Sequence, residues 1–393
     1  MKPIPVGIQD FKTVREDCYY IDKSMLIGQI LSLNSNGVYL ITRPRRFGKS
    51  LNLSMLDAFF NIKYKGNTWF DGLEISKHPE FDSYKNVFPV IHIDFKNAVS
   101  DNMNGFLGRF NNLVLEAYKE HLYLMESDIV MDDEKDLYTH LIKKDIVPED
   151  LMDSLNILSM VLERYHGAKT IVLIDEYDSI VNNVKDEKLR RDIIRFIKNT
   201  LSSLLKGNNS LQLGVMTGVT QIILSDDFGG LNNVMRDDIL NTDFGEMYGF
   251  TDEEVKQICA DYGHPEKYAE AKEWYGGYRF NESEVFNPWS ILNYVRNNFE
   301  SGPYWADDNS EKELYDIISK ASDNSTRNLQ TLISGDNDSG SVETVITFGK
   351  YHNMYSHLAV TGYLRAVPGE WDCELSIPNR ELLNMFSKMI NRK

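Results

Sequence analysis

An α/β fold is predicted, with a parallel sheet covered by helices on both faces up to about residue 245 and a mainly helical region from 246 to 393. Short apolar, β-branched segments recur at 38–42, 89–94, 170–175 and 211–216, each of a length that suits a buried strand rather than a helix. Stretches of helical periodicity separate them, and that alternation is the signature of a parallel sheet with helical layers. A chain of 393 residues is long enough for two or three domains with sizeable cores.

Taken in order, Tyr19 to Leu33 is spaced for an amphipathic helix through Tyr20, Leu26, Ile27 and Ile30, and Asn34-Ser-Asn-Gly37 closes it. Val38–Thr42 reads as a buried strand, Arg43–Gly48 as a polar loop, and Ser50–Phe60 as a helix with Leu51, Met55, Leu56 and Phe59 on its apolar face. A second strand is expected at Pro89–Asp94. The stretch from Asp101 to Tyr165 is mostly helical, and its clearest helix starts at Pro148 and stops before Gly167. Thr170–Asp175, a charged helix Glu187–Leu205 and a strand Leu211–Met216 follow. From Thr251 the pattern is helical, with loops near Gly276-Gly277 and at Ser334–Ser341.

Composition narrows the function classes. Hydrophobic residues make up 42% and charged residues 26%, which excludes a disordered, collagenous or disulfide-scaffold chain. Acidic residues outnumber basic ones by 59 to 42, a net charge of −17, so nucleic acid or anionic lipid would need a local basic patch. Three scattered cysteines, Cys18, Cys259 and Cys373, lack disulfide or zinc spacing and suit a reducing cytoplasm. No apolar run approaches a membrane span.

The segment around residue 49 carries the chemistry. A strand, the loop Arg43–Gly48 and then Gly48-Lys49-Ser50 opening a helix is the layout of a phosphate-binding loop. There, loop amides cradle phosphates, Lys49 neutralises the β and γ charges, and the Ser50 hydroxyl ligates Mg²⁺. Arg43 stands where the standard pattern has its first glycine, and a solvated basic turn is the plain alternative. Ile171–Ile174 followed by Asp175 and Glu176 supplies the second half: ligands of open α/β sheets lie at the carboxyl ends of strands. An aspartate there can hold the Mg²⁺ shell, and the next glutamate can polarise the attacking water. Alone, such acids often cap a helix, as Asp178 could. Both motifs in this order indicate a nucleoside triphosphatase.

Lesser signals keep their alternatives. Thr217 and Thr220 stand where a γ-phosphate sensor would, or in an ordinary strand-end turn. Arg43, Arg45, Arg46 and Lys49 form an acid-free cluster suited to polyphosphate. In Trp274–Phe280, Arg279 could reach a nucleotide, or the aromatics could pack under a loop. Asp94-Phe-Lys96 with Asp82 imitates a metal-dependent nuclease pattern but fits a sheet strand better, and His92 reads as a core histidine in that strand.

Several segments together resemble the predicted AAA-ATPase-like family of bacteria. They are Ile4–Phe11 with Tyr19–Ser24, Thr42-Arg-Pro-Arg-Arg-Phe-Gly-Lys-Ser-Leu51 running on to Leu56, and Leu173-Ile-Asp-Glu-Tyr-Asp178. Gly229–Asn233, Tyr248–Val255, Tyr275–Phe280, Phe286–Ser290, Thr361–Leu364 and Ile377–Asn379 complete the set. The resemblance covers nearly the whole chain. It implies a five-stranded P-loop sheet, then a helical lid and a winged-helix-like part, as in archaeal-type and STAND ATPases. The cofactors implied are ATP and Mg²⁺: Arg45, Arg46, Phe47, Gly48, Lys49, Ser50 and Leu51 would form the phosphate loop, and Ser50 and Asp175 would hold the metal. Glu176 would orient water, Tyr20 or Ile21 would line the adenine pocket, and Thr217 and Arg279 would stand near the nucleotide. The first-glycine arginine belongs to the family pattern.

Two departures accompany the resemblance. Gln221 replaces a basic residue usual after the fourth strand, which would slow or abolish turnover and favour a nucleotide-binding switch. Many members continue into a PD-(D/E)XK nuclease domain where this chain stops at Lys393, so the chain is expected to be either a stand-alone ATPase module or one shorn of that domain. An ATPase accessory to DNA cleavage is the third reading. Arg279 and Arg236 are candidates for a cationic finger, and ATP or ADP, a second copy or a protein partner are the expected associates.

Overall fold

The computed structural model describes residues 2–182, 184–221, 231–305, 308–320, 329–333, 354–369 and 373–390. The loop expected at Ser334–Ser341, and Gly229 with Gly230, lie outside them. The chain gathers into two compact units, each built from separated segments: Ser24–Ile41 with Ser50–Arg236, and Met1–Lys23 with Thr42–Lys49 and Asp237–Lys393.

The first of these units holds the sheet. Strands β1 (Val38–Thr42), β2 (Val90–Asp94), β3 (Thr170–Asp175), β4 (Leu211–Gly218) and β5 (Val234–Asp237) lie in the order β2-β3-β4-β1-β5. β2, β3 and β4 run parallel, with Asp94 opposite Asp175 and Ile174 opposite Met216. Alternate residues serve the two faces. Val38, Leu40, Ile91, Ile93, Val172 and Ile174 join one large core with Phe106, Phe110, Leu155, Leu158 and Ile197 from the helices Met103–Lys119, Pro148–His166 and Glu187–Leu205. Tyr39, Ile41, Ile171 and Leu173 face the other way and are buried too, so neither face of the sheet meets water. The fold class expected for this part is therefore observed.

Boundaries follow local chemistry. The helix at Pro148 begins on that proline and ends at His166, with Gly167 left-handed at φ 66° as its cap. The helix expected from Tyr19 begins only at Met25; ahead of it Lys23 makes a part-buried pair with Glu254 and donates to the Glu246 carbonyl. A seven-residue helix Phe11–Asp17, capped by Asp10 onto Thr13, was too short to show as periodicity.

In the second unit the described residues after 246 are mostly helical, with two small hairpins that periodicity does not reveal: β6 (Tyr278–Phe280) with β7 (Ser283–Val285), and β8 (Arg365–Pro368) with β9 (Cys373–Ser376). Its core joins Val255, Ile258, Tyr275, Phe286, Ile291 and Tyr294, with Ile21 packed against them. No helix among the described residues is long and apolar enough to cross a membrane.

In the sheet unit, His121 is buried, with Nε2 3.2 Å from the Val90 carbonyl oxygen and Nδ1 3.1 Å from the Tyr123 hydroxyl. Burial pushes its pKa down to about 4. The unfolded chain, at the ordinary value of about 6.5, therefore binds the proton first, and stability is lost as pH falls from about 6.5 to 4. The loss attributable to this ring should approach about 3 kcal/mol at pH 4. Urea unfolding of His121→Gln beside wild type should show a flatter acid limb; parallel limbs would refute the assignment.

Candidate functional site

The loop 43–48 leaves the carboxyl end of β1 and enters the helix Lys49–Phe60. Arg46 at φ 69° and Gly48 at φ 84° hold left-handed backbone, reversals that let a loop ahead of a helix turn its amides inward as an anion nest. A Cβ on Gly48 would meet nothing within 4 Å; the dihedral itself calls for glycine.

The loop's charges are individually engaged within the unit that contains it. Lys49 is 6% exposed. Its ammonium donates to the carbonyls of Pro44 at 2.9 Å and Arg43 at 3.1 Å. Arg46 donates to the carbonyls of Tyr304 and Trp305, with its guanidinium 4.5 Å from the centre of the Trp289 ring. Arg45, the exposed member, pairs with Glu313 at 2.7 Å. Phe47 is buried, with the rings of Tyr278 and Phe280 both 5.0 Å away. Arg43 is completely buried. The basic cluster that reads as a single positive patch is thus three differently anchored arginines and a lysine.

Other expected residues of this unit have contacts of their own. Tyr20 lies edge-on to Phe11 at 5.5 Å, with Arg15 over its ring, and its hydroxyl accepts from the Lys23 amide. Arg279 stays within its own hairpin, donating to the Asn281 carbonyl at 2.7 Å. Tyr275 packs against Tyr294 and Tyr304, the aromatic packing that was the plain alternative for Trp274–Phe280.

In the sheet unit, Asp175 ends β3 and is 7% exposed. Its Oδ1 accepts from the Thr217 hydroxyl and from the Glu176 amide. The strand register brings Asp94 opposite it. Partial burial, and next the facing Asp175 charge, raise the Asp94 carboxyl against the bond it accepts from the Lys96 amide. That bond caps a short turn after β2, the sheet role expected over the nuclease pattern. Glu176, half-buried, is left-handed at φ 51°, which costs a non-glycine residue on the order of 1 kcal/mol or more and turns the chain sharply off the strand.

The Asp178 carboxylate accepts from the amides of Val219 and Thr220 and the Thr220 hydroxyl, tying the exit of β4 to the exit of β3. Thr220 is therefore committed to that clamp, while Thr217 is the threonine in contact with Asp175. Ser50 and Leu51 occupy the first turn of their helix, both half-buried. His92 is half-buried in β2, with Nδ1 3.8 Å from the Asp57 carboxylate, so the core-histidine expectation gains a partner.

The order of strands puts β1 between β4 and β5, so the connections from β1 and β4 depart in opposite directions across the sheet. Open α/β sheets bind ligands at such switch points. The carboxylate of Asp175 fits a Mg²⁺ donor: its two bonds converge on Oδ1, and this ion characteristically takes one or two carboxylates beside phosphates and water. Among the described residues no group of three or more His, Cys, Asp or Glu could form an all-protein metal cage.

Residues 5–228, more than half of the 393, match the family model described as Predicted AAA-ATPase. An uncharacterized protein in the vnfD 5'region of Azotobacter chroococcum mcd 1 is 27% identical over 324 residues, 81% of this chain. The chain spans 56% of that relative's length.

Proposed function

The chain belongs to the predicted AAA-ATPase family, and from that premise we propose that it binds ATP with Mg²⁺ and hydrolyses it, with nucleotide state biasing the C-terminal region. The observation that carries this reading is Asp175 at the carboxyl end of β3, held by Thr217 and followed by a sharply turned Glu176. Lys49 and the loop amides bind the phosphates, and Ser50 and Asp175 hold the metal, which when bound supplies charge neutralisation at the β and γ oxygens. Glu176 orients a water for in-line attack and takes its proton. Thr217 fixes the Asp175 carboxylate, so that its orientation is set before nucleotide arrives. Tyr20 or Ile21 lines the adenine side, and Arg279 or Arg236 supplies the cationic finger. The order helix Met354–Thr361, hairpin β8–β9, helix Arg380–Ile390 supports a winged-helix-like element.

The test is phosphate release from ATP with Mg²⁺ and after chelation. Turnover that requires the metal is expected. Gln221, buried just after β4, favours a second reading, a nucleotide switch; saturable ATP binding without phosphate release would establish it and displace the first.

A further inference from the structure

The residue in the first-glycine position is the one the loop pattern leaves without a role. Arg43 is 0% exposed, yet both terminal nitrogens of its guanidinium are engaged. One end donates to the Asp237 carboxylate and to the Thr242 hydroxyl, the other to the carbonyls of Thr42 and Asp237. The rings of Tyr248 and Phe280 lie 5.0 and 5.2 Å from its centre. Asp237 is itself braced, accepting from the Thr242 hydroxyl at 2.9 Å and the Asp243 amide at 2.8 Å. A planar five-donor fork is the only side chain that satisfies two carbonyls, a carboxylate and a hydroxyl together while stacking on aromatics.

A guanidinium so enclosed has its charge neutralised internally and is not offered to a ligand. What it fixes is its own backbone. The carbonyl of Arg43 is one of the two that receive the Lys49 ammonium, and the neighbouring Pro44 carbonyl is the other. We propose that Arg43 is a positioning residue for Lys49: the Arg43–Asp237–Thr242 cluster clamps the start of the loop so that its carbonyls aim the lysine at the phosphates. Arginine here replaces the conformational freedom of glycine with a fixed anchor. The proposal rests on the ATP reading above and deepens it.

A purely structural anchor would lower stability and impair every function alike; a positioning role acts through Lys49. Arg43→Lys keeps the charge and loses the fork. Its ATP affinity, measured by calorimetry below the melting temperature, should fall about tenfold, a typical size for disturbing one charge-assisted phosphate contact. In a Lys49→Gln background, with nucleotide raised to millimolar, the same change should cost less than about twofold, the size of ordinary non-additivity. Thr242→Val, which removes one acceptor of the fork, should show the same pattern more weakly, and decides the matter if Arg43→Lys does not fold. Equal losses in both backgrounds, or full ATP affinity in the folded variants, would overturn the positioning role while leaving the ATP reading intact. Wild-type protein that binds no ATP would overturn both.

Discussion

Replacing Glu176 with glutamine is expected to lower ATP turnover by about 10²–10⁴-fold while ATP binding is retained, the range for losing a positioned general base. The prediction follows from where the residue stands. β3 delivers Asp175 to the carboxyl edge of the sheet, and Glu176 follows it in left-handed backbone. Asp175 is held by Thr217 and by the Glu176 amide, which suits the proposed division of one acid to the metal and the next to water. Glutamine preserves the shape, the backbone demand and the amide bond to Asp175, and removes only the ability to accept a proton. Phosphate release and nucleotide binding measured on the same preparation check it. Unchanged turnover would remove Glu176 from the mechanism.

Lys49→Ala is expected to weaken ATP binding by about 10²-fold or more, comparable with deleting one preorganised donor to a charged oxygen. The lysine is 6% exposed and held by two carbonyls of its own loop. Its ammonium is therefore largely desolvated before a phosphate arrives, and an ammonium in that state gains more from an anion than one in bulk water. Removing it also leaves the carbonyls of Pro44 and Arg43 without this donor, so a melting curve must accompany the isotherm. A folded Lys49→Ala that binds ATP as wild type does would show that the loop is a basic turn.

The sheet was legible because each of its first four strands is apolar, short and bounded by turn residues, features that local sequence controls. The helices Pro148–His166 and Glu187–Leu205 announce their own ends through Pro148, Gly167 and Asp186. β6 and β7, three residues each, turn at Asn281 with φ 52°, and three residues are too few to display a period. The two-unit organisation was beyond local reading, since Arg43 meets Asp237 194 positions later and Lys23 meets Glu254 231 positions later. For the same reason the loop motif could be recognised while the fate of its arginines could not: the charge of Arg43 is visible in sequence, its burial only in the fold.

Titration of ATP into the wild-type protein with Mg²⁺ present, followed by calorimetry, bears most directly on the central claim. Saturable binding at one site per chain, lost on Lys49→Ala, is the predicted result. No binding up to millimolar nucleotide, by a protein shown to be folded, would contradict it.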